Sequence, residues 1–546
     1  MLDWAHLLAP HFGPTGSMDL DLRDWPSARG PSYYNQFSHY AFLQLATGAV
    51  PGCPASDRER YRDLALRNIE YALAITDAEF HTPHFSRGRE WGRHVGEWLN
   101  YYLLCSLELM ERHGLGTPEL RARLAAAVSG AVDVLHRRFE ERYRVAPKEF
   151  VGNHDTWHGL LFFRAGRFFH RADWMDYARD FFARCVLPFQ HADGYWPEAQ
   201  GIVVGYSLVT AQAVSVYGEL SGDAAARSSI GRFMGFFEFS CLPDGTMAVT
   251  LDVRMRYYAM PFLFCAPGFM GSESGRRLVG QMLQAGRSYL NTHGVRDNGA
   301  QACAFFASFA EFAFVPEIQP PEIQVQAPAT LPAARLVDGP WRGYLGWQIV
   351  PEHPSRFVLD TQNFVELWHR EAGYLAGTGG SRFMPRFSTV RRTNGGRAYI
   401  PDRARCLRVT STQAEVAYTF GEDDVAVKLV LVGGKCNVSA RLGRAVVGHA
   451  YEFALLVAFK NGELVGFDEA EEKIEPTVLV HWQGCPRPVR TLRWRGLVWT
   501  LPEGTRVDYP LVPHNSYTQD GLPAADDYVG RISFPLTQDE QTLSIS

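Results

Sequence analysis

The sequence predicts a multidomain chain of α and β parts: an N-terminal (α/α) toroid of helical hairpins followed by an antiparallel β-sandwich. Three observations predict it. A chain of 546 residues exceeds what one ordinary core holds, so two large domains are expected. Through the first 315 residues apolar side chains recur at three- and four-residue spacing, the helical period. Beyond the Pro-rich run VPEIQPPEIQVQAPATLPAA (Val315–Ala334) the period falls to two, the period of strands. The expected boundaries are 1–315 for the toroid, 316–334 for an extended linker and 335–546 for the sandwich.

The helical part is justified segment by segment. ERYRDLALRNIEYALAI (Glu59–Ile75), RARLAAAVSGAVDVLHRRFEERY (Arg121–Tyr143) and GRRLVGQMLQAGRSYL (Gly275–Leu290) each carry an apolar stripe. There are roughly eleven such segments, joined by short loops. A weak internal echo accompanies them. DGYWPEAQGIVVGY (Asp193–Tyr206) and DGTMAVTLDVRMRYY (Asp244–Tyr258) both open on Asp-Gly and reach a tyrosine, Tyr206 or Tyr257, thirteen positions later. A third Asp-Asn-Gly stands at Asp297–Gly299. A period near fifty residues, about two helices per unit, signals stacked hairpins, and a ring of them is a toroid. In the β part, RCLRVTS, AEVAYTF, VAVKLVLV, YEFALLVAF, PTVLVHW, RTLRWRGLVWTL and GRISFPL are β-branched and aromatic runs between turn residues.

Composition narrows the function classes. Net charge is −5 and the pI is about 6.4, so bulk electrostatics give no reason to expect nucleic acid or a membrane as partner. The nine cysteines, Cys53, Cys105, Cys185, Cys241, Cys265, Cys303, Cys406, Cys436 and Cys485, form no CxxC pair. That argues against a zinc ribbon and for free thiols in a reducing compartment. The start, MLDWAHLLAPHFGP, lacks the pattern of a signal peptide, and no apolar run reaches transmembrane length. A cytoplasmic location is expected, and the oligomeric state stays open.

Five clusters hold chemistry. The densest is VGNHDTWHG, Val151–Gly159, where Asn153 or Asp155 could cap a helix running on through LLFFRAGRFF. Residues four apart share a helix face, which groups Asn153 with Trp157 and His154 with His158. His154 and His158 also have the spacing of zinc ligands, but Asp155 replaces the glutamate of HExxH and no third ligand is identifiable. The second cluster, HADGYWPEAQGIVVGYS (His191–Ser207), sets Tyr195 and Trp196 beside Glu198; aromatic faces beside a carboxylate suit a sugar. The third, GREWGRHVGEWLNYY (Gly88–Tyr102), is expected as a helix with Glu90, His94, Glu97 and Tyr101 on one stripe and Arg89 and Arg93 on the next. The fourth is RMRYY, with Arg254 and Arg256 beside Tyr257 and Tyr258; the fifth is PSYYNQFSHY, Pro31–Tyr40.

With these motifs in place the chain resembles the toroid-plus-sandwich polysaccharide lyases of the heparinase II/III and alginate lyase type. The match is Asn153-His154 at a helix start, then Asp193-Gly194, Glu198 and Tyr206 in that order. The resemblance covers the whole architecture, while its specific motifs cover only this stretch. One departure stands out. The region where those lyases often carry a His-x-His-x-Asp-like signature reads DTQNFVELWHREAGYLAGTGGS (Asp360–Ser381) here, with His369 alone. This marks a divergent family rather than a true heparinase.

The resemblance implies β-elimination at a uronic acid in an acidic oligosaccharide or polysaccharide. Asn153 and His154 or His158 would neutralise the substrate carboxylate so that an enolate can develop. Tyr206 would act as base, acid or both. A phenol of pKa near ~10 needs neighbouring cations for that role, and Arg254, Arg256, Arg89 or Arg93 could supply them. The catalytic set is then Asn153, His154, His158, Tyr206 and Arg254, with Glu198, Tyr195, Trp196, Arg89, His94, Glu97, Tyr257 and Trp157 binding substrate. The scheme requires no cofactor; a structural divalent metal is compatible with it but unsupported. Two alternatives stay open. A glycoside hydrolase, including one for unsaturated uronates, would use two carboxylates from among Glu198, Asp193, Asp155 and Glu97. A non-catalytic glycan-binding protein would tolerate changes at Asn153 and Tyr206.

Overall fold

The computed structural model describes residues 1–18, 36–86, 89–145, 150–198, 201–254, 261, 266–293, 299–313, 323–325, 327–350, 355, 357–358, 363–380, 387–446, 448–475, 489–516, 518 and 520–546. They form two compact units, Met1–Glu238 with Pro261–Pro328, and Phe239–Met260 with Ala329–Ser546.

The first unit is helical. Its elements are α1 (Leu2–Leu8), α2 (His39–Thr47), α3 (Ala55–Ala74), α4 (Glu97–His113), α5 (Pro118–Arg142), α6 (Asn153–Phe169), α7 (Ala172–Phe181), α8 (Val204–Ser221), α9 (Ala224–Ser240), α10 (Glu273–His293) and α11 (Gly299–Ala313). Two kinds of sequence sort them. In α8 nearly every residue from Val204 to Gly218 is buried, the signature of a helix surrounded on all sides. In α5 only a stripe is, through Leu120, Leu124, Val128, Val132, Leu135 and Phe139, the signature of an outer helix. The helices buried on most sides make the inner ring. α2 packs on α4, α4 on α6, α6 on α8, α8 on a short 3₁₀ turn at Pro267–Gly271, that turn on α11, and α11 on α2 again. α3, α5 and α7 back their hairpin partners from outside. This closed ring of hairpins is an (α/α) toroid.

One expected element is corrected. Gly88–Tyr102 is not a single helix. Thr82–Ser86 (β1) and Arg89–His94 (β2) pair as an antiparallel ribbon, and α4 begins only at Glu97. The reason lies in the backbone: Gly92 has φ +119°, a conformation no α-helix contains. Glu90, His94, Glu97 and Tyr101 therefore share no helical stripe.

Among the described residues the second unit holds two sheets of nine strands each. One runs in the order β15 (Ala470–Lys473), β14 (Leu464–Phe467), β16 (Thr491–Trp494), β17 (Leu497–Thr500), β20 (Gln541–Ile545), β12 (Lys435–Leu442), β11 (Asp423–Val432), β10 (Gln413–Phe420), β9 (Arg403–Val409). The other runs β18 (Arg506–Leu511), β19 (Val529–Pro535), β13 (Ala450–Val457), β6 (Gly373–Ala376), β5 (Val365–His369), β4 (Trp341–Gly346), β3 (Ala333–Asp338), with β7 (Val390–Asn394) on β13 and β8 (Arg397–Tyr399) on β7. The pairings among the described strands are antiparallel, as in β10–β11 and β13–β19. Alternation does the packing: Val425, Val427, Leu429 and Leu431 of β11 join one core with Leu345, Leu367, Phe453 and Ile532 of the facing sheet.

The β unit also takes in Phe239–Met260, which the sequence places inside the helical part, and β3 begins at Ala333, just before the expected boundary. The cause is a set of polar anchors that hydrophobic periodicity does not report. Glu366 accepts the Val249 and Thr250 amides, each at 3.1 Å, and the Tyr374 hydroxyl at 2.9 Å. Trp368 Nε1 donates to Asp244 at 2.9 Å, and Tyr344 donates its hydroxyl to the Phe239 carbonyl at 2.5 Å. Burial pushes the Glu366 carboxyl up to about 7 against these donors. A raised carboxyl keeps its proton longer in the fold, so its ionisation subtracts stability as pH climbs from ~4.3 toward 7. Glu366→Ala is expected to cost about 1–3 kcal/mol and to speed hydrogen exchange at Val249 and Thr250. Unchanged exchange there would show that the segment is held by other means.

Candidate active site

Three inner helices start at one end of the ring. α4 opens at Glu97, α6 at Asn153 and α8 at Val204, and no side chain caps any of the three. Gly152, not Asn153 or Asp155, is the N-cap of α6, which corrects the capping expected for both. A glycine there leaves the first-turn amides to other partners, and the helix dipole adds partial positive charge.

The first turn of α6 gathers the polar groups. Glu97 and His154 form an ion pair through His154 Nδ1, and His158 Nε2 lies 3.7 Å from the other Glu97 oxygen. His158 Nδ1 stands 2.9 Å from the His154 carbonyl, so it donates there. Burial works to raise the Glu97 carboxyl, but the imidazolium beside it wins and holds it down to about 2. Burial works to lower His154, yet the Glu97 charge and hydrogen bond raise it above its ordinary value. Burial pushes His158 below its ordinary value, with Glu97 opposing. His154 is thus pushed toward its cationic form and His158 toward its neutral one. The His154 side chain is 49% exposed and that of His158 only 10%, so His154 faces solvent and the His158 ring packs 4.6 Å from Phe139.

Asn153 is buried, donates Nδ2 to Glu198 at 3.5 Å, and has no partner for Oδ1 among the described residues. On the other side of the turn Asp155 accepts the Tyr143 hydroxyl and pairs with Arg142 at 3.1 Å. Burial and the Asp155 charge raise the Tyr143 phenol well above its ordinary value. Arg142, Tyr143, Val145, Phe150, Gly152 and Asp155 line a cleft of about 250 Å³ at the start of α6. Trp98, the second residue of α4, stacks 4.6 Å from His154. On the β1–β2 ribbon His94 Nε2 lies 2.8 Å from His84 Nδ1. Burial lowers His94, with the Glu97 charge opposing.

The structure thus brings together Asn153, His154, His158, Glu97 and Glu198. Tyr206 is the third residue of α8 and half-buried. Trp157 Nε1 donates to the Val209 carbonyl at 3.1 Å. That bond joins the second turns of α6 and α8. Two expected sugar contacts are corrected. Trp157 is fully buried among Trp98, Tyr101, Tyr102 and Phe305. Trp196 is buried with its indole nitrogen on the Val186 carbonyl at 3.0 Å. Both satisfy their N–H inside the fold and reach no substrate. Tyr195 stacks on His191 at 4.5 Å. Arg254 belongs to the β unit, where its guanidinium lies 4.5 Å over Phe357. Arg93 pairs with Asp77 at 3.4 Å. The side chain of Arg89 and the whole of Arg256, Tyr257 and Tyr258 lie outside the described residues.

Sequence reasoning missed Trp98, His84, Arg142 and Tyr143. Arg142 and Tyr143 end the helical stripe of α5, where nothing marks them as facing the start of α6. Among the described residues no cluster of three or more potential metal ligands is assembled, and no helix is long and apolar enough to cross a membrane.

No family model matches the chain, and no curated protein matches its sequence. Solved structures do match. The Paenibacillus xanthan lyase superposes at a TM-score of 0.53 with 10% identity, over 99% of this chain and 56% of that one. The chain therefore spans a little over half the length of that enzyme. The chondroitin AC lyase of Streptomyces coelicolor A3, in complex with chondroitin sulphate, gives 0.49 and 12%, over 100% and 78%. The unsaturated glucuronyl hydrolase of Bacillus sp. GL1 gives 0.38 and 10%, over 59% and 97%. At these identities the likeness speaks for the fold: this chain is similar to polysaccharide lyases in its toroid followed by antiparallel β-sheets.

Proposed function

We propose that this protein is a carbon–oxygen lyase that cleaves a uronic-acid-containing oligosaccharide or polysaccharide by β-elimination. The observation that carries the reading is the Glu97–His154 ion pair beside Asn153 on the first turn of α6, which no side chain caps. A solvent-facing imidazolium, an amide and a helix N-terminus are three donors suited to one carboxylate. Neutralising the uronate carboxylate makes the C5 proton removable. A base takes that proton, its electron pair forms the C4–C5 double bond, the C4–O bond breaks, and the leaving oxygen takes up a proton. His154, paired through Nδ1, has Nε2–H left for the substrate. Tyr206, on the first turn of α8, is assigned the base and acid work. The fold shared with a xanthan lyase supplies the scaffold.

Ultraviolet absorbance during incubation with alginate, glucuronan, hyaluronan, heparan and rhamnose–glucuronate glycans tests this, with and without chelator. A rising signal from a 4,5-unsaturated uronate is expected. Tyr206→Phe is expected to lower kcat by about 10²-fold with unchanged circular dichroism. Wild-type turnover in that variant would remove Tyr206 from the mechanism.

A second reading has its own observation. Glu97, Asp155 and Glu198 surround one helical turn, with Asn153 on Glu198, and two carboxylates are what a glycoside hydrolase needs. Hydrolysis of an unsaturated uronate would make the same absorbance fall.

A further inference from the structure

We infer that the open edge of the second unit, around β8 and β9, is a separate docking surface for the acidic glycan chain on which the proposed lyase acts. The inference rests on that reading for the identity of the polymer, and on the following geometry for the surface. Residues 390–409 contain six arginines and a single carboxylate, Asp402. Two of the six are neutralised: Arg391 pairs with Glu452, and Arg392 with Asp423 at 3.3 Å. Arg397, Arg405 and Arg408 are exposed and make no ion pair among the described residues. Arg403 pairs with Asp402 at 3.4 Å, in a pair open to water, and donates to the Gly421 carbonyl at 3.0 Å.

A β-bulge gathers these charges. Arg403 lies opposite Thr419 and Arg405 opposite Ala417, but the register then slips, so Arg408 rather than Leu407 lies opposite Glu415. Paired residues share a face, so the extra residue turns Arg403, Arg405 and Arg408 to the same side. That side is the outer one, since Val416 and Tyr418 between them belong to the core. The row continues across the sheet from Arg405 through Ala417 and Ala426 to Arg441. Two buried alanines lie between the two arginine positions, which stand roughly 14 Å apart along the backbone at three strand spacings.

β8, which precedes β9 in the chain but belongs to the other sheet, adds the sugar-like half of the recognition. All three residues of β8 are exposed. Its Tyr399 ring lies 4.8 Å from the Arg392 guanidinium and is exposed. An aromatic face beside fixed cations suits a pyranose that carries carboxylate or sulfate groups. A net charge of −5 for the chain works against general polyanion binding, so the attraction is local to this edge.

The test is the double charge reversal Arg405→Glu/Arg408→Glu, at exposed positions of the second unit. Retention on immobilised alginate and chondroitin sulphate is measured, with kinetics on long polymer and on a purified tetrasaccharide. The expected result is weaker retention and a KM on polymer raised about tenfold, with tetrasaccharide kinetics unchanged. Equal change on both substrates, or unchanged retention, overturns the surface. Duplex DNA or anionic vesicles that bind as tightly as the glycans would also overturn it, as a general polyanion patch. If wild-type protein turns over no glycan, retention still decides. Its loss in the double variant keeps the surface while the lyase reading falls.

Discussion

His154→Ala is expected to lower kcat/KM on the responsive uronate glycan by about 10³-fold, at the upper end for one electrostatic donor to a developing oxyanion. Folding should survive, because the side chain is half exposed and its α6 neighbours are held by Trp157 and Phe139. Glu97→Gln is the more informative partner. It leaves the imidazole in place and removes the charge that raises its pKa. The alkaline limb of kcat/KM should then move acidward, toward the ordinary value of about 6.5. Stability should respond in a defined window. A raised His154 contributes stability below ~6.5 and loses it as pH rises through its folded value. The depressed Glu97 contributes above ~4.3 and loses it as pH falls toward 2. The pair is therefore worth most between these limits. Stopped assays from pH 5 to 9 on the three proteins check this. An unmoved alkaline limb in Glu97→Gln would dissociate His154 from the titration.

The second large effect is on stability. Arg164, eleven residues after Asn153 on α6, is buried. Its guanidinium makes bonds of 3.0 and 2.6 Å to Glu108 and of 2.9 and 2.7 Å to Glu311, and a fifth of 3.0 Å to the Tyr101 hydroxyl. Tyr40 completes the group through a 2.8 Å bond to Glu311. The cluster ties α2, α4, α6 and α11 together. Arg164→Met should cost about 3–5 kcal/mol, because two carboxylates lose their counter-charge inside the ring. Arg164→Lys should recover little, since an ammonium cannot reproduce the fork. Replacing Glu108 and Glu311 with apolar residues in the Arg164→Met background should restore much of the loss. Thermal and urea unfolding read all three. A Tm for Arg164→Met equal to wild type would mean that the cluster contributes nothing net.

The sequence showed architecture better than assembly. Long stripes such as that of α5 and alternations such as that of β11 are local, so their periods are readable. Glu97 and His154 were both singled out, but 57 residues apart and for different reasons. Their pairing exists only because α4 and α6 are neighbours starting at the same end. The His94 segment was misread because a run of charged residues spaced by four imitates a helix, while a single glycine at φ +119° forbids one. Trp157 and Trp196 show the opposite error: polar neighbours in sequence suggested a wet surface, while the indoles turned inward to backbone carbonyls. The anchors on Glu366 were invisible because one buried carboxylate inside an apolar strand gives no periodic signal.

The closure of the inner ring has a consequence for synthesis. Tyr40 and Glu311 meet across 271 positions of chain, so the seam between α2 and α11 forms only after most of the first unit exists. Ring closure is a contact of very high order, and such contacts slow folding. A nascent chain grows at roughly 5–20 residues per second. The apolar flank of α2 therefore waits on the order of tens of seconds for its partner. During that time the growing arc is an open ribbon with one bare lateral edge. Yield in cells should thus depend on holdase capacity and translation speed before it depends on the stability of the finished ring.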